Sequence, residues 1–172
     1  MKNEGQQRYT RYNRPENNAN PSSNTGATTP NATSPGPNAT VGTNNNQQGD
    51  FIQQVVDLTN RERTNNGLPP IAADTELQKA AQMKSDDMAT NNYFSHTSPN
   101  YGSPFDMLKS LGIEYKVAAE NIAQGQRSPQ EVVTAWMNSE GHRKNILNKD
   151  ITHIGVGHAA SGNYWTQLFI KK

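Results

Sequence analysis

The 172-residue chain contains no cysteine and no long apolar segment. Without cysteine it forms no disulfide, uses no thiol nucleophile and builds no cysteine-based zinc site. No segment approaches the roughly 18 consecutive apolar residues that a membrane-spanning helix needs, so none is predicted. Hydrophobic residues make up 31% of the chain and aromatic residues 7%, which is low for a chain that folds over its whole length.

A large excess of either charge is also missing. The chain has 16 basic and 15 acidic residues, and its formal net charge is +1. Residues 51–172 alone carry 12 of each sign. A domain that binds nucleic acid by neutralising phosphates needs a basic surface. The composition therefore argues against nucleic acid as a partner.

The hydrophobic residues are distributed unevenly. Only eight of the first 50 residues belong to the hydrophobic set, whereas Asn alone occurs 11 times there. Such a segment cannot bury enough apolar surface to offset the entropy lost on ordering. We predict a disordered, Asn/Thr/Pro-rich tail over residues 1–49 and one folded domain over residues 50–172. About 120 residues is an ordinary size for a single domain.

The first residues, from Met1 to Gln7, contain no apolar core of a secretory signal. This pattern has two interpretations: the protein stays inside its cell, or the numbering starts after a removed segment. The lack of cysteine does not decide between them.

Four helices are predicted from capping residues followed by apolar residues at helical spacing. The predicted caps are Asp50, Asp74, Ser103 and Ser128. Pro104 and Pro129 fit the first helical position, and Ser128 with Glu131 matches a capping box. The predicted ends are Asn66-Gly67, Asn91-Asn92 and Gly112.

The last residues show strand periodicity instead. Residues 152–158 alternate, residues 161–163 form a Ser-Gly-Asn turn signal, and residues 164–170 are rich in strand formers. A C-terminal hairpin is predicted. Because helices come first and strands late, the predicted fold class is α+β.

Two of the four histidines, His153 and His158, are five residues apart on a predicted strand. An odd offset places them on opposite faces, so they do not share a site. We interpret both as structural.

The other two, His96 and His142, lie in polar segments directly after predicted helices. Imidazoles at such positions suit ligand binding or proton transfer. Glu120 lies among Ala, Ile and Val residues, so its carboxylate is expected to be partly buried and to need partners. Glu140 is a second candidate acid, two residues before His142.

These four residues could form either a metal site or an acid–base cluster. Their spacing does not decide between the two, since no pair has the i, i+4 geometry of a helical metalloprotease motif. A nucleophile elbow, a phosphate loop and a dinucleotide fingerprint are also absent from the sequence.

Several motifs nevertheless occur in the order and spacing of one known family. They are Leu58-x-Asn60-x-Glu62-Arg63, Asn92-Tyr93-Phe94-Ser95-His96-Thr97, Ala119-Glu120-Asn121-Ile122-Ala123, Ala135-Trp136-Met137-Asn138-Ser139-Glu140-Gly141-His142-Arg143-x-Asn145-Ile146-Leu147 and Ile154-Gly155-Val156-Gly157. In these motifs the chain resembles the bacterial branch of the CAP superfamily, whose domain is also called the SCP domain. The resemblance covers residues 51–170 and leaves the tail without a counterpart.

The resemblance implies an α-β-α sandwich with a small antiparallel sheet between helical layers. It also implies a cleft with two histidines and two acids. His96 and Glu120 correspond to the first histidine and the first acid, and His142 to the second histidine. In eukaryotic relatives the second acid stands where this chain has Ser139, so whether Glu140 enters the cleft stays open.

Three alternative functions follow from the resemblance. In the first, the domain is a non-enzymatic binding module that holds zinc weakly and exchangeably through His96 and His142, with Glu120 and less firmly Glu140 lining the cleft. In the second, it is a metal-dependent hydrolase or peptidase with Glu120 as base and His142 as acid. In the third, the same residues form a polar network in a scaffold module tethered by the tail.

The implied partners are a small ligand, a lipid, or a component of the cell wall or spore, and the implied state is a monomer. The resemblance favours an extracellular, cell-surface or spore location in a bacterium.

Overall fold

A computed structural model describes the backbone of residues 42–172 and the side chains of residues 47–172. Most of the predicted disordered tail, residues 1–41, lies outside the described residues. The helices are α1 (Gly42–Asn65), α2 (Thr75–Thr90), α3 (Pro104–Ser110), α4 (Pro129–Met137) and α5 (Glu140–Ile146). The strands are β1 (Ala72–Ala73), β2 (Val117–Gln124), β3 (His153–Ala159) and β4 (Tyr164–Lys171). Within this described part, no helix combines the length and apolarity needed to cross a membrane.

The four strands form one sheet in the order β1-β3-β4-β2. The predicted hairpin is present as β3 and β4, which pair antiparallel, and β2 pairs antiparallel with the other side of β4. The two-residue strand β1 is parallel to β3. The expected antiparallel pairing therefore holds for the three longer strands, and the sheet as a whole is mixed. The exception arises because β1 enters the sheet by a long crossover rather than a hairpin.

Helices cover both faces of the sheet, which confirms the predicted α-β-α sandwich and the α+β class. Apolar residues of α1, α4 and α5 pack with Ile154, Val156, Trp165 and Phe169 on one face. Residues of α2 and α3 pack with Leu168 and Ile170 on the other. Alternation along β4 divides these residues between the two cores.

The layer of α2 lies unusually close to β3. A Cβ atom on Gly155 would lie 2.3 Å from the backbone of Leu77, and one on Gly157 would lie 2.2 Å from the backbone of Ala81. Only glycine permits this approach. The close contact fixes the position of α2, which carries several side chains of the candidate site.

The first helix begins earlier than predicted. Asp50 is not its cap but an exposed residue inside it, since α1 starts at Gly42. One reason is a tertiary contact: the Gln48 side chain donates a hydrogen bond to the carbonyl of His158. Such contacts are invisible in composition, which placed residues 42–49 in the tail.

The other predicted starts are confirmed. Asp74, Ser103 and Ser128 accept hydrogen bonds from the backbone N–H groups of Leu77, Asp106 and Glu131. The capping box at Ser128 is incomplete, because the Glu131 carboxylate accepts from the N–H of Arg127 instead of the cap itself. Neither β2 nor α5 was predicted, and both carry residues of the candidate site.

Candidate functional site

Strand β2 separates two polar groups at the edge of the sheet. Glu120 pairs with Leu168 of β4, whose side chain packs against α2. Asn121 pairs with Gln167, which donates to Thr59 of α1 at 2.8 Å. Because side chains alternate along a strand, Glu120 faces the α2 side and Asn121 the α1 side.

The buried carboxylate of Glu120 meets the imidazole of His96. Nδ1 of His96 lies 2.6 Å from Oε1 of Glu120, and the two side chains are 27% and 3% exposed. An ionised carboxylate only accepts, so with Glu120 in that form the contact requires a proton on Nδ1. The remaining nitrogen, Nε2, makes no hydrogen bond to any residue of the described part. The second oxygen of Glu120, Oε2, is buried and has no partner there either.

Asp87 of α2 organises the segment that holds His96. Its carboxylate accepts hydrogen bonds from Ser98 at 2.6 Å, from Asn100 at 2.5 Å and from the hydroxyl of Tyr93. Burial alone would raise the pKa of Asp87, but these hydrogen bonds outweigh it and leave the pKa below its usual value. Burial and the nearby carboxylate raise the pKa of Tyr93. The loop is thus tied to α2 by an ionised side chain.

Lys84, one turn before Asp87 on α2, is 1% exposed. Its Nζ donates to the carbonyl of His96 at 2.9 Å and lies 3.3 Å from the hydroxyl of Tyr93. Burial lowers the pKa of Lys84, and the negative charges of Glu120 and Asp87 oppose that shift. Lys84 was not among the site residues predicted from the sequence.

His142 approaches from the other side of β2. It belongs to helix α5, so its predicted position in a loop is wrong. The side chain of Asn121 donates to the His142 carbonyl at 3.2 Å. Asn145 donates to Asn121 Oδ1 at 2.9 Å and to the Glu120 carbonyl at 3.2 Å. These amide contacts hold α5 against the edge of the sheet.

The pKa of His142 is lowered, first by burial and second by the charge of His96. Of the three sequence-predicted residues, the structure brings His96 and Glu120 into direct contact. His142 lies on α5, where its backbone carbonyl accepts from Asn121 of β2.

The buried guanidinium of Arg63 holds the far end of α5. Its Nη1 donates to the carbonyls of Ile146 at 2.7 Å and Asn148 at 2.9 Å, and its Nε donates to that of Pro69 at 3.0 Å. Burial lowers the pKa of Arg63. Arg63 belonged to a family motif, but nothing in the sequence indicated which carbonyls it would bind.

The remaining sequence-predicted candidates are Glu140, His153 and His158. Glu140 is exposed in the first turn of α5. Its role as a cleft residue stays a prediction. His158 is buried, with its ring 3.8 Å from that of Trp165, whereas His153 contacts Thr152 at the start of β3. The packing of His158 agrees with a structural role, and for His153 that role stays a prediction.

A metal ion would need several His, Asp or Glu side chains close together. Among residues 47–172, no three or more His, Asp and Glu side chains are grouped closely enough to hold a metal ion. A closed site with three or four protein ligands is therefore not found among these residues. What they offer is the His96 imidazole with a carboxylate against its Nδ1.

Three comparisons place the chain among known proteins. The family model described as CAP, the cysteine-rich secretory protein family, matches residues 56–169. The uncharacterized protein YkwD of Bacillus subtilis (strain 168) is 62% identical over 122 residues, which are 71% of this chain and 48% of that protein. A crystal structure of an extracellular protein containing an SCP domain, from Bacillus anthracis, superposes with a TM-score of 0.74 at 39% identity.

That superposition covers 80% of this chain and 45% of the Bacillus anthracis chain. An outer surface protein of Borrelia burgdorferi has a TM-score of 0.66 at 21% identity, over 72% of this chain and 93% of its own, and shows a shared fold. The chain spans about half the length of the Bacillus subtilis relative.

Proposed function

This chain belongs to the CAP family, the cysteine-rich secretory protein family, and on that premise we propose that it is an exported, non-enzymatic binding domain. In this proposal the cleft that the family resemblance implies, formed by the loop of His96 with β2 and α5, holds a divalent cation or a small ligand. We call the side chains of His96, Glu120 and His142 the cleft triad.

The contact between His96 and Glu120 carries the proposal. A carboxylate that accepts from Nδ1 fixes the imidazole tautomer and leaves Nε2 with a lone pair for a ligand. The unpartnered Oε2 of Glu120 is a buried acceptor. A buried acceptor without a donor costs on the order of 1–3 kcal/mol, and a bound ligand would remove that cost.

For a metal ligand, His96 and His142 would be the direct ligands and Glu120 would orient His96. Two protein nitrogens give weaker binding than the three or four of ordinary zinc sites, so we expect exchangeable zinc. A bound cation would supply positive charge that attracts anionic groups of a further ligand.

Export is supported by relatives rather than by the site. The Bacillus anthracis structure is described as extracellular, and the family name refers to secretory proteins. Location on the cell envelope or spore, and contact with a cell-wall component, belong to the same proposal. Fractionating the source cells and detecting the protein with an antibody tests it: protein confined to the cytosol contradicts export.

Calorimetric titration of zinc into the wild type tests the metal-binding part. We expect measurable heat that is lost in a His96→Ala/His142→Ala variant and kept in His153→Ala, which removes a histidine outside the cleft. No heat from folded wild-type protein rejects zinc binding and leaves the polar-scaffold interpretation. Equal heat in the double variant places the metal elsewhere.

The competing function is metal-dependent hydrolysis with Glu120 as base. Its test is activity against casein and cell-wall peptide in the presence of zinc, in wild type and in Glu120→Gln. Activity that requires Glu120 would replace the non-enzymatic proposal. Activity that survives the substitution would reject this mechanism.

A further inference from the structure

Lys84 is a charged side chain placed where an apolar one would be expected. It occupies the sheet-facing side of α2 together with Leu77, Ala80, Ala81 and Met88, and it is 1% exposed. Among the described residues it forms no ion pair with any carboxylate. Burying an ammonium group without an ion pair is costly. We therefore looked for the contacts that offset this cost.

Among the described residues, Lys84 makes its polar contacts with the segment that carries His96. Its Nζ binds the backbone carbonyl of His96 and approaches the hydroxyl of Tyr93. The same ammonium lies 5.2 Å from the centre of the Tyr93 ring, within range of a cation–π contact. Tyr93 in turn donates to Asp87, one turn along α2. The segment is thus attached to α2 at both its backbone and its aromatic side chain.

The charge of Lys84 also bears on the carboxylates beside it. Glu120 and Asp87 are the two acids whose negative charges act on Lys84. Glu120 is in direct contact with the His96 ring, and Asp87 accepts a hydrogen bond from Ser98 in the loop after His96. For Asp87, burial raises the pKa, whereas its hydrogen bonds and then the charge of Lys84 lower it.

We propose that Lys84 is a positioning residue for the cleft triad: it holds the His96 backbone, with Tyr93 and Asp87 as its supports, so that Nδ1 of His96 faces Oε1 of Glu120. Lys84 itself touches no ligand. The proposal deepens the proposed function, since a fixed imidazole is what a ligand at Nε2 would meet. A side chain that served only packing would leave the tautomer of His96 unaffected when replaced.

The test uses the His96 tautomer, which needs no metal. Ring ¹⁵N shifts of labelled histidine are measured at about pH 8, above the usual pKa of histidine. In the wild type we expect the Nδ1–H form. In Lys84→Met, which keeps the length and apolar stem, we expect a mixture of tautomers. Lys79→Met is the matched control, because Lys79 lies exposed on the same helix, paired with Glu76 at 2.8 Å.

Zinc titration of the same variants gives a second measurement. Loss of a residue that orients a metal-binding histidine lowers affinity about ten- to a hundredfold, and we expect this for Lys84→Met but not for Lys79→Met. If wild-type protein binds no zinc, the proposed function fails while the tautomer comparison still decides the role of Lys84. An unchanged Nδ1–H form in folded Lys84→Met overturns the proposal.

Where Lys84→Met does not fold, Tyr93→Phe replaces it. This variant keeps the ring and the buried lysine but removes the hydroxyl that contacts both Lys84 and Asp87. A shift of the His96 tautomer supports the positioning network. A wild-type tautomer in folded Tyr93→Phe counts against it.

Discussion

The imidazole of His96 and the carboxylate of Glu120 lie 24 residues apart in sequence and form a 2.6 Å contact between Nδ1 and Oε1. One belongs to a loop after α2 and the other to the edge strand β2. The contact satisfies one oxygen of a buried acid and leaves the other without a partner among residues 47–172. This unpartnered oxygen supports the proposed binding function, since an apolar residue would serve better if the position were used only for packing.

Glu120→Gln is expected to change the cleft more than the stability of the fold. The substitution loses a charge-assisted hydrogen bond, but it also replaces the anionic oxygen that has no partner among the described residues by a neutral amide group, which is less costly to bury. These two terms, each about 1–3 kcal/mol, oppose each other. We therefore expect little change in the free energy of unfolding, together with loss of zinc heat. Urea denaturation and calorimetry measure the two effects. A destabilisation of about 3 kcal/mol or more would show that Glu120 is chiefly structural.

Gly157→Ala is expected to destabilise the domain strongly. The added Cβ would lie 2.2 Å from the Ala81 carbonyl, so α2 must move away from β3. Overpacking of this kind costs about 1–3 kcal/mol or more. Gly49→Ala is the control: a Cβ there meets nothing within 4 Å, and alanine in a helix is favoured by about 0.5–1 kcal/mol. Equal melting temperatures for the two variants would contradict the close approach of α2.

His158 predicts a loss of stability in mild acid. Burial lowers the pKa of His158 in the folded state, so below about pH 6.5 the unfolded chain takes up a proton that the folded one does not. Stability then falls with decreasing pH, by at most about 1.4 kcal/mol per pH unit for this group, until the folded pKa is reached. His142, whose pKa is also lowered, acts in the same direction.

His158→Phe isolates the contribution of this histidine. The variant keeps an aromatic ring beside Trp165 and Phe51 but cannot bind a proton. We expect a smaller difference in the free energy of unfolding between about pH 7.5 and about pH 5 than in the wild type, measured by urea denaturation. An identical difference in both proteins would mean that His158 is protonated equally in the folded and unfolded chain.

Arg63→Met is expected to loosen α5. Three backbone carbonyls lose their donor, including those of Ile146 and Asn148 at the end of that helix. The bond to Ile146 is buried and the other two are part-buried. A buried acceptor that loses its donor costs about 1–3 kcal/mol and a wetter one less, so we expect a destabilisation of about 3 kcal/mol. Arg61→Met, at an exposed position of α1, the helix that also carries Arg63, should stay within about 0.5 kcal/mol. Equal effects of the two variants would show that Arg63 does not anchor α5.

Local signals in the sequence determined several elements on their own. Asp74 and Ser103 cap helices because their side chains accept from backbone groups three residues ahead, an interaction within one turn. The hairpin of β3 and β4 follows from alternation and a Ser-Gly-Asn turn, in which Gly162 and Asn163 adopt positive φ. The family motifs also contain all three residues of the cleft triad.

Other features depend on contacts between distant parts of the chain, and only the tertiary structure decided them. The early start of α1 involves Gln48 binding the carbonyl of His158. The environment of Glu120 arises from β2 pairing with β4, which sends Glu120 and Asn121 to opposite faces. Nothing in the sequence distinguishes Lys84 from other residues of α2, and only the fold brings its Nζ into contact with the carbonyl of His96. Sequence patterns encode hydrogen bonds within a turn and the period of a strand, whereas the pairing of distant groups follows from how the layers pack.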